Sequence, residues 1–132
     1  MRIAHIGIAV KDAEAALQLY KDVLGLEPSH IETVEDQQVK TIHIPIGEAS
    51  IELLESTSSE GVVAKFIEKR GEGLHHIAIE VPDITNLLAQ MKTGGYQLID
   101  ETPRRGAGGS LIAFVHPRSA SGVLLELCQQ PD

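Results

Sequence analysis

Cysteine occurs once, at Cys128, so no disulfide framework is available to this chain. A single thiol inside an apolar strand pattern reads as a small core residue in a reducing compartment. Long apolar runs are also missing. None approaches the ~18 residues that a membrane helix needs, and Met1-Arg2 leads straight into an apolar strand. Neither a membrane span nor a secretory leader is expected, and the protein is expected to be cytoplasmic. Positive charge is scarce as well: 11 Lys and Arg stand against 19 Asp and Glu, a net charge of −8. Nucleic acid and anionic membrane surfaces, which such a chain repels overall, are therefore not the expected partners. Several catalytic signatures are absent too. There is no H-E-x-x-H helix, no C-x-x-C, no phosphate-binding glycine loop that opens a helix, and no nucleophile elbow. Gly106-Ala107-Gly108-Gly109 reads as a hairpin loop instead.

What is present is a repeat. Ala4-His5-Ile6-Gly7-Ile8-Ala9-Val10 returns as His75-His76-Ile77-Ala78-Ile79-Glu80-Val81, and Ile51-Glu52-Leu53-Leu54 returns as Leu125-Glu126-Leu127-Cys128. The offset is 71 residues between His5 and His76 and 74 between Glu52 and Glu126, so the copies keep register apart from about three inserted residues. Asp12 is placed as the N-cap of a helix carrying Ala13, Ala16, Leu17, Tyr20 and Leu24 on one face, with Gly25 as its stop. Asp83 does the same before Ile84, Leu87, Leu88 and Met91, with Gly94 and Gly95 as the stop. Alternating segments follow each helix: Val39 to Ile46 and Ile51 to Leu54, then Ile112 to Val115 and Val123 to Leu127. Val62, Val63, Phe66 and Ile67 predict a connecting helix that Gly71 ends.

The expected class is α+β: two tandem βαβββ modules, residues 1–55 and 73–132, joined by a helical segment, 56–72. Half of 132 residues is a marginal core by itself, and no flexible linker divides the halves, so one domain with internal symmetry is expected.

Either histidine alone would read as structural, and a lone strand glutamate as solvent-facing. Glu52 and Glu126 differ because each sits among leucines, where an uncompensated carboxylate is costly. One divalent ion held by His5, Glu52, His76 and Glu126 would compensate both, and this N/O mixture suits Zn, Co, Ni, Fe or Mn better than Ca or Mg. His76 is preferred to His75 because the alignment matches it to His5, and alternation turns His75 to the opposite face.

These paired strands resemble the vicinal oxygen chelate superfamily, whose two βαβββ modules form a cupped, partly open mixed sheet around a metal. The resemblance covers essentially the whole chain. Four segments carry a finer similarity to methylmalonyl-CoA epimerases: His5 to Val10, Ile51 to Glu55, Gly71 to Ala78, and His116-Pro117-Arg118 leading to Gly122 through Leu127. That resemblance implies a metal-dependent epimerase that interconverts (R)- and (S)-methylmalonyl-CoA. The proton at C2 is removed, the enolate is stabilised by one divalent ion per chain, and a proton returns to the other face. It also implies an acyl-CoA partner and a homodimer. Glu126 is implicated in both ligation and proton transfer.

The second acid/base is where the chain departs from the pattern, since some family members carry glutamate where Thr41 stands. His43, two steps along the same strand, is the candidate replacement; its plainer reading is a partly buried strand histidine. Glu48 falls in an Ile46-Gly47-Glu48 turn and is expected to be solvated. Arg104, Arg105 and Arg118 are the candidate cations for the anionic substrate, with ordinary solvated loop charges as the alternative. Arg118 stands where the family commonly has lysine.

Rival functions on this fold are a lactoylglutathione lyase-type isomerase, an extradiol dioxygenase and a non-enzymatic small-molecule binding protein. Glu52 as an extra ligand disfavours the dioxygenase, which would use a two-histidine, one-carboxylate triad. A filled four-ligand set disfavours the binding protein.

Overall fold

A computed structural model describes residues 1–132, apart from the side chain of Ala107. The chain divides into two compact units, His5–His75 and His76–Asp132 with Met1–Ala4. The boundary passes through two strands, β1 (Arg2–Ala9) and β5 (Gly73–Glu80).

The amino-terminal unit continues from β1 through α1 (Ala13–Gln18), β2 (His30–Val34), β3 (Val39–Ile46) and β4 (Ala49–Ser56) to α2 (Val62–Arg70). Its strands lie in the order β2-β3-β4-β1. β1 runs parallel to β4, and the other neighbours are antiparallel. The helix starts where the sequence predicts, with the Asp12 carboxylate accepting from the Ala15 N–H. Its end differs. Residues Leu19–Val23 widen into a π-helical turn, which breaks the 3.6-residue stripe. Leu24, expected on the buried face, is therefore exposed, and Leu26 packs against the core in its place.

Strand alternation gives this sheet two different faces. Ile8, Val10, Ile42, Ile44, Ile51 and Leu53 pack with Ala13, Ala16 and Leu17 of α1. On the other face, Ala9, Val39 and Leu54 meet Val63, Phe66 and Ile67 of α2, while Val62, expected in the apolar stripe, is exposed. The remainder of that second face carries polar groups.

The carboxy-terminal unit continues from β5 through α3 (Ile84–Thr93), β6 (Arg104–Arg105) and β7 (Leu111–Val115) to β8 (Leu125–Gln129), with strand order β5-β8-β7-β6. Here β5 is parallel to β8, as β1 is to β4. Asp83 caps α3 by accepting from the Asn86 N–H, and Gln129 Oε1 accepts the Ile84 N–H, which ties the first turn to β8. Ile84 and Leu88 pack on Val81, Ala113, Val115 and Leu127. The opposite face holds Ala78, Ile112 and Cys128, with Ala4 and Phe114 against them. Cys128 is buried, as a small core residue should be. Gly106 to Gly109 join β6 to β7 as the expected hairpin. Both units thus follow the strand, helix, three-strand order read from the repeat, an α+β arrangement with mixed pairing.

Two stability effects follow. Asp12→Ala and Asp83→Ala are each expected to destabilise by about 1 kcal/mol through loss of a cap. Leu53→Ala, at a fully buried position, should cost about 2–5 kcal/mol through transfer and cavity terms. Urea unfolding followed by far-UV circular dichroism checks both, and a Leu53→Ala variant as stable as the parent would contradict the packing described.

Candidate functional site

The polar face of the amino-terminal sheet is laid out by register. One row across the strands reads His30, His43, Glu52, Gly7, and the next reads Glu32, Thr41, Leu54, Ala9. His5, two residues before Gly7, shares the Gly7 face and reaches diagonally to Glu52, with its Nδ1 2.9 Å from Glu52 Oε2. His43 Nδ1 lies 3.5 Å from the same oxygen, and its Nε2 is 3.2 Å from Glu32 Oε1. The His30 ring stacks on His43 at 4.0 Å. Glu52 therefore has an imidazole on either side, which stabilises its charge without full solvation.

The same diagonal recurs in the carboxy-terminal unit. Ala78 is paired with Glu126, and His76, two residues earlier on the same face, places its Nε2 3.5 Å from Glu126 Oε1. Both residues are buried, at 6% and 8% relative exposure. The Phe114 ring stands edge-on to His76 at 6.0 Å. Glu126 pairs with Phe114 on β7, so Phe114 occupies in this module the place His43 has in the other. By the same matching, Ile112 replaces Thr41 and Arg104 replaces Glu32.

Arg104 lies over Phe114, its guanidinium carbon 5.5 Å from the ring centre, and its Nε is 3.4 Å from Asp100 Oδ1. The other Asp100 oxygen accepts the Phe114 N–H at 2.8 Å. One carboxylate thus ties the cation and the aromatic together. Arg105 alternates to the other face, opposite Leu111. Arg118 is exposed on the short turn Pro117–Ser119, where its N–H donates to His116 Nδ1. His75 takes the face opposite His76 and sets its ring edge-on to Phe66 at 4.9 Å; burial there lowers its pKa below the ordinary histidine value. Glu48 is exposed beside the Gly47 turn, where φ is +60°.

Three polar residues of this picture were not singled out in the sequence: His30, Glu32 and Asp100. β2 alternates weakly, so the register that brings His30 and Glu32 beside His43 has no local signal. Asp100 lies outside any strand and acts through a contact with β7.

Each unit therefore offers one imidazole and one carboxylate at a matched diagonal, a pairing suited to first-row divalent ions. A sequence profile of the Glyoxalase/Bleomycin resistance protein/Dioxygenase superfamily matches residues 4–114. An uncharacterized Bacillus subtilis protein, YqjC, is 44% identical over 97% of this chain and 91% of its own length. The ethylmalonyl-CoA/methylmalonyl-CoA epimerase of Cereibacter sphaeroides is 36% identical, covering 97% of both chains. The solved structure of a Streptomyces coelicolor methylmalonyl-CoA epimerase variant in complex with 2-nitronate-propionyl-CoA superposes with a TM-score of 0.92. It is 38% identical and covers 98% of this chain and 94% of that one. With the repeat, the matched diagonals and these similarities in place, the chain belongs to the Glyoxalase/Bleomycin resistance protein/Dioxygenase superfamily and, within it, to the methylmalonyl-CoA epimerase family.

Proposed function

We propose that the protein is a metal-dependent epimerase of methylmalonyl-CoA and that the two duplicated modules act as one domain around a single site. The observation that carries this is the repeated histidine–glutamate diagonal, present in a chain 36% identical to an epimerase over nearly its whole length. His5, Glu52, His76 and Glu126 are assigned as the ligands. Their fit rests on the donor set: a buried imidazole and carboxylate on an apolar face in one module, and a carboxylate held by imidazole in the other. An ion pair alone would satisfy the charges, but for the buried His76 and Glu126 it would carry a desolvation cost. Once bound, a divalent ion of the Zn, Co, Ni, Mn or Fe type would supply Lewis-acid stabilisation of negative charge on substrate oxygens.

The chain's own groups do the rest. Glu126 takes the C2 proton on a carboxylate oxygen. That carboxylate is buried, with Phe114 opposite it on β7. His43 is the second acid/base: Glu52 and Glu32 flank its two ring nitrogens and fix the ring, with Nε2 as the atom that exchanges the proton. Thr41, buried between Glu32 and Leu54 in the register, is a spacer here and not a base. Arg104 is the first choice for a contact with the anionic acyl-CoA, because Asp100 and Phe114 hold it in place. Arg118, exposed on its turn, and Arg105, on the other face of β6, are the further candidate cations. A homodimer in the cytoplasm completes the reading.

The deciding experiment is proton exchange. Metal-loaded protein with methylmalonyl-CoA in D2O is expected to incorporate deuterium at C2 with inversion of configuration, followed by NMR and a chirality-sensitive assay. Glu126→Gln should slow exchange by about 10²–10⁴-fold. Turnover of a methylglyoxal–thiol hemithioacetal with no C2 exchange would place the chemistry with the lactoylglutathione lyases instead.

His43→Gln is expected to leave exchange on one face of C2 and to suppress inversion. Full inversion in that variant would remove His43 from the reaction. Arg104→Gln should raise KM for the acyl-CoA by about tenfold with kcat little changed, the pattern of lost uniform binding. Steady-state kinetics at fixed ionic strength checks this, and an unchanged KM dismisses the contact.

A further inference from the structure

We propose that His30, Glu32 and His43 form a second divalent-metal site, confined to the amino-terminal unit, for first-row transition ions of the zinc type. Their ligand atoms all lie within 4.8 Å of one another. Glu32 Oε1 is 3.2 Å from His43 Nε2 and 4.0 Å from His30 Nε2, so a carboxylate oxygen stands between two imidazole nitrogens. Two nitrogens and one oxygen make a donor set that zinc, nickel and copper accept and calcium and magnesium do not favour.

The strand geometry builds this set. His30 and His43 are directly opposite in the β2–β3 ladder, and Glu32 follows His30 by two residues, on the same face. All three belong to one antiparallel pair and depend on no other element for their juxtaposition.

The far ring nitrogens are already engaged as metal-binding histidines require. Ser29 Oγ lies 3.0 Å from His30 Nδ1 and donates its own hydrogen bond to the His43 carbonyl, 3.5 Å away. With Nδ1–H donating to Ser29, the lone pair of His30 is on Nε2, facing Glu32. His43 Nδ1 faces Glu52 Oε2 at 3.5 Å, and a proton held there likewise directs the Nε2 lone pair toward Glu32. A carboxylate on the distal nitrogen fixes the tautomer that binds metal.

One adjustment is needed. The rings are stacked with 18° between their planes, so their Nε2 lone pairs run nearly parallel. A tetrahedral ion with bonds of ~2.0–2.1 Å needs donor separations of about 3.3 Å and convergent lone pairs. His30, the exposed member, makes that change by swinging its ring out of the stack, while His43 keeps its place between two carboxylates. Water fills the open fourth position. The site is therefore weaker than one built from four fixed ligands.

The proposal does not depend on the substrate, and its test reads metal content, not turnover. Metal-free full-length protein is titrated with Zn²⁺ by calorimetry, with stoichiometry confirmed by elemental analysis after equilibrium dialysis. The wild type is expected to bind two ions per chain. His30→Asn and Glu32→Gln should each reduce this to one, and His76→Asn should remove the other ion while leaving this one. His30 is exposed, and circular dichroism should show its variant folded. A wild-type count of one that His30→Asn leaves unchanged overturns the second site. So does a second ion that survives both His30→Asn and Glu32→Gln. A wild-type count of one that His30→Asn abolishes supports this site and instead overturns the ligand set assigned under the proposed function.

Discussion

A carboxylate on the inner face of a strand must be matched by a neighbour within reach, because an uncompensated charge there costs several kilocalories per mole. Glu52 and Glu126 impose that demand at equivalent places, and the parallel pairing of β1 with β4 and of β5 with β8 answers it. In each pair the glutamate faces a small residue, Gly7 or Ala78, and the histidine two residues earlier reaches over it diagonally. Gly7 and Ala78 leave the register position opposite the glutamate with little or no side chain. The small residue, the histidine and the glutamate are thus one constraint. The helices on the opposite sheet faces serve it by taking up the alternate apolar positions.

The modules keep this constraint and diverge around it. Where one has His43 and Glu32, the other has Phe114 and Arg104. One face is thereby lined by exchangeable protons and negative charge, and the other by an aromatic shield and a cation tied to Asp100. The two glutamates, alike in their histidine contacts, thus have different surroundings in the two modules.

The repeat, both caps and the alternating strands were legible because each is a local pattern: Asp12 and Asp83 before an apolar stripe, and single histidines and glutamates at a constant offset. What escaped depends on register or on irregular backbone. The π-helical turn at Leu19–Val23 has no composition signature, so Leu24 was placed on the wrong face. Val62 opens its helix in the first turn, where the apolar stripe has not yet met the sheet. Arg104 and Arg105 looked alike in the sequence, yet a two-residue strand turns them to opposite faces. β2 follows a loop whose length does not set pairing, which is why Glu32 beside Thr41 was not foreseen although the strand bearing Thr41 was delimited from Val39 to Ile46.

His43 is the point where these lines meet. Its Nδ1 faces a carboxylate assigned as a ligand of the central ion, and its Nε2 faces Glu32 and, beyond it, His30. A proton and a metal ion at Nε2 are mutually exclusive, since both use the same lone pair. Occupation of the outer set therefore removes the group assigned to return a proton, while the ligands of the central ion stay in place. The two carboxylates are also unequal: Glu52 is largely enclosed, whereas Glu32 is substantially open to solvent. The inner contact orients the ring, and the outer one is where solvent, proton and cation would compete. Thr41, by contrast, is buried and stands directly opposite Glu32 in the β2–β3 ladder. On the proposed assignment, a proton carried by His43 stands at this outer contact, within reach of the surrounding metal concentration.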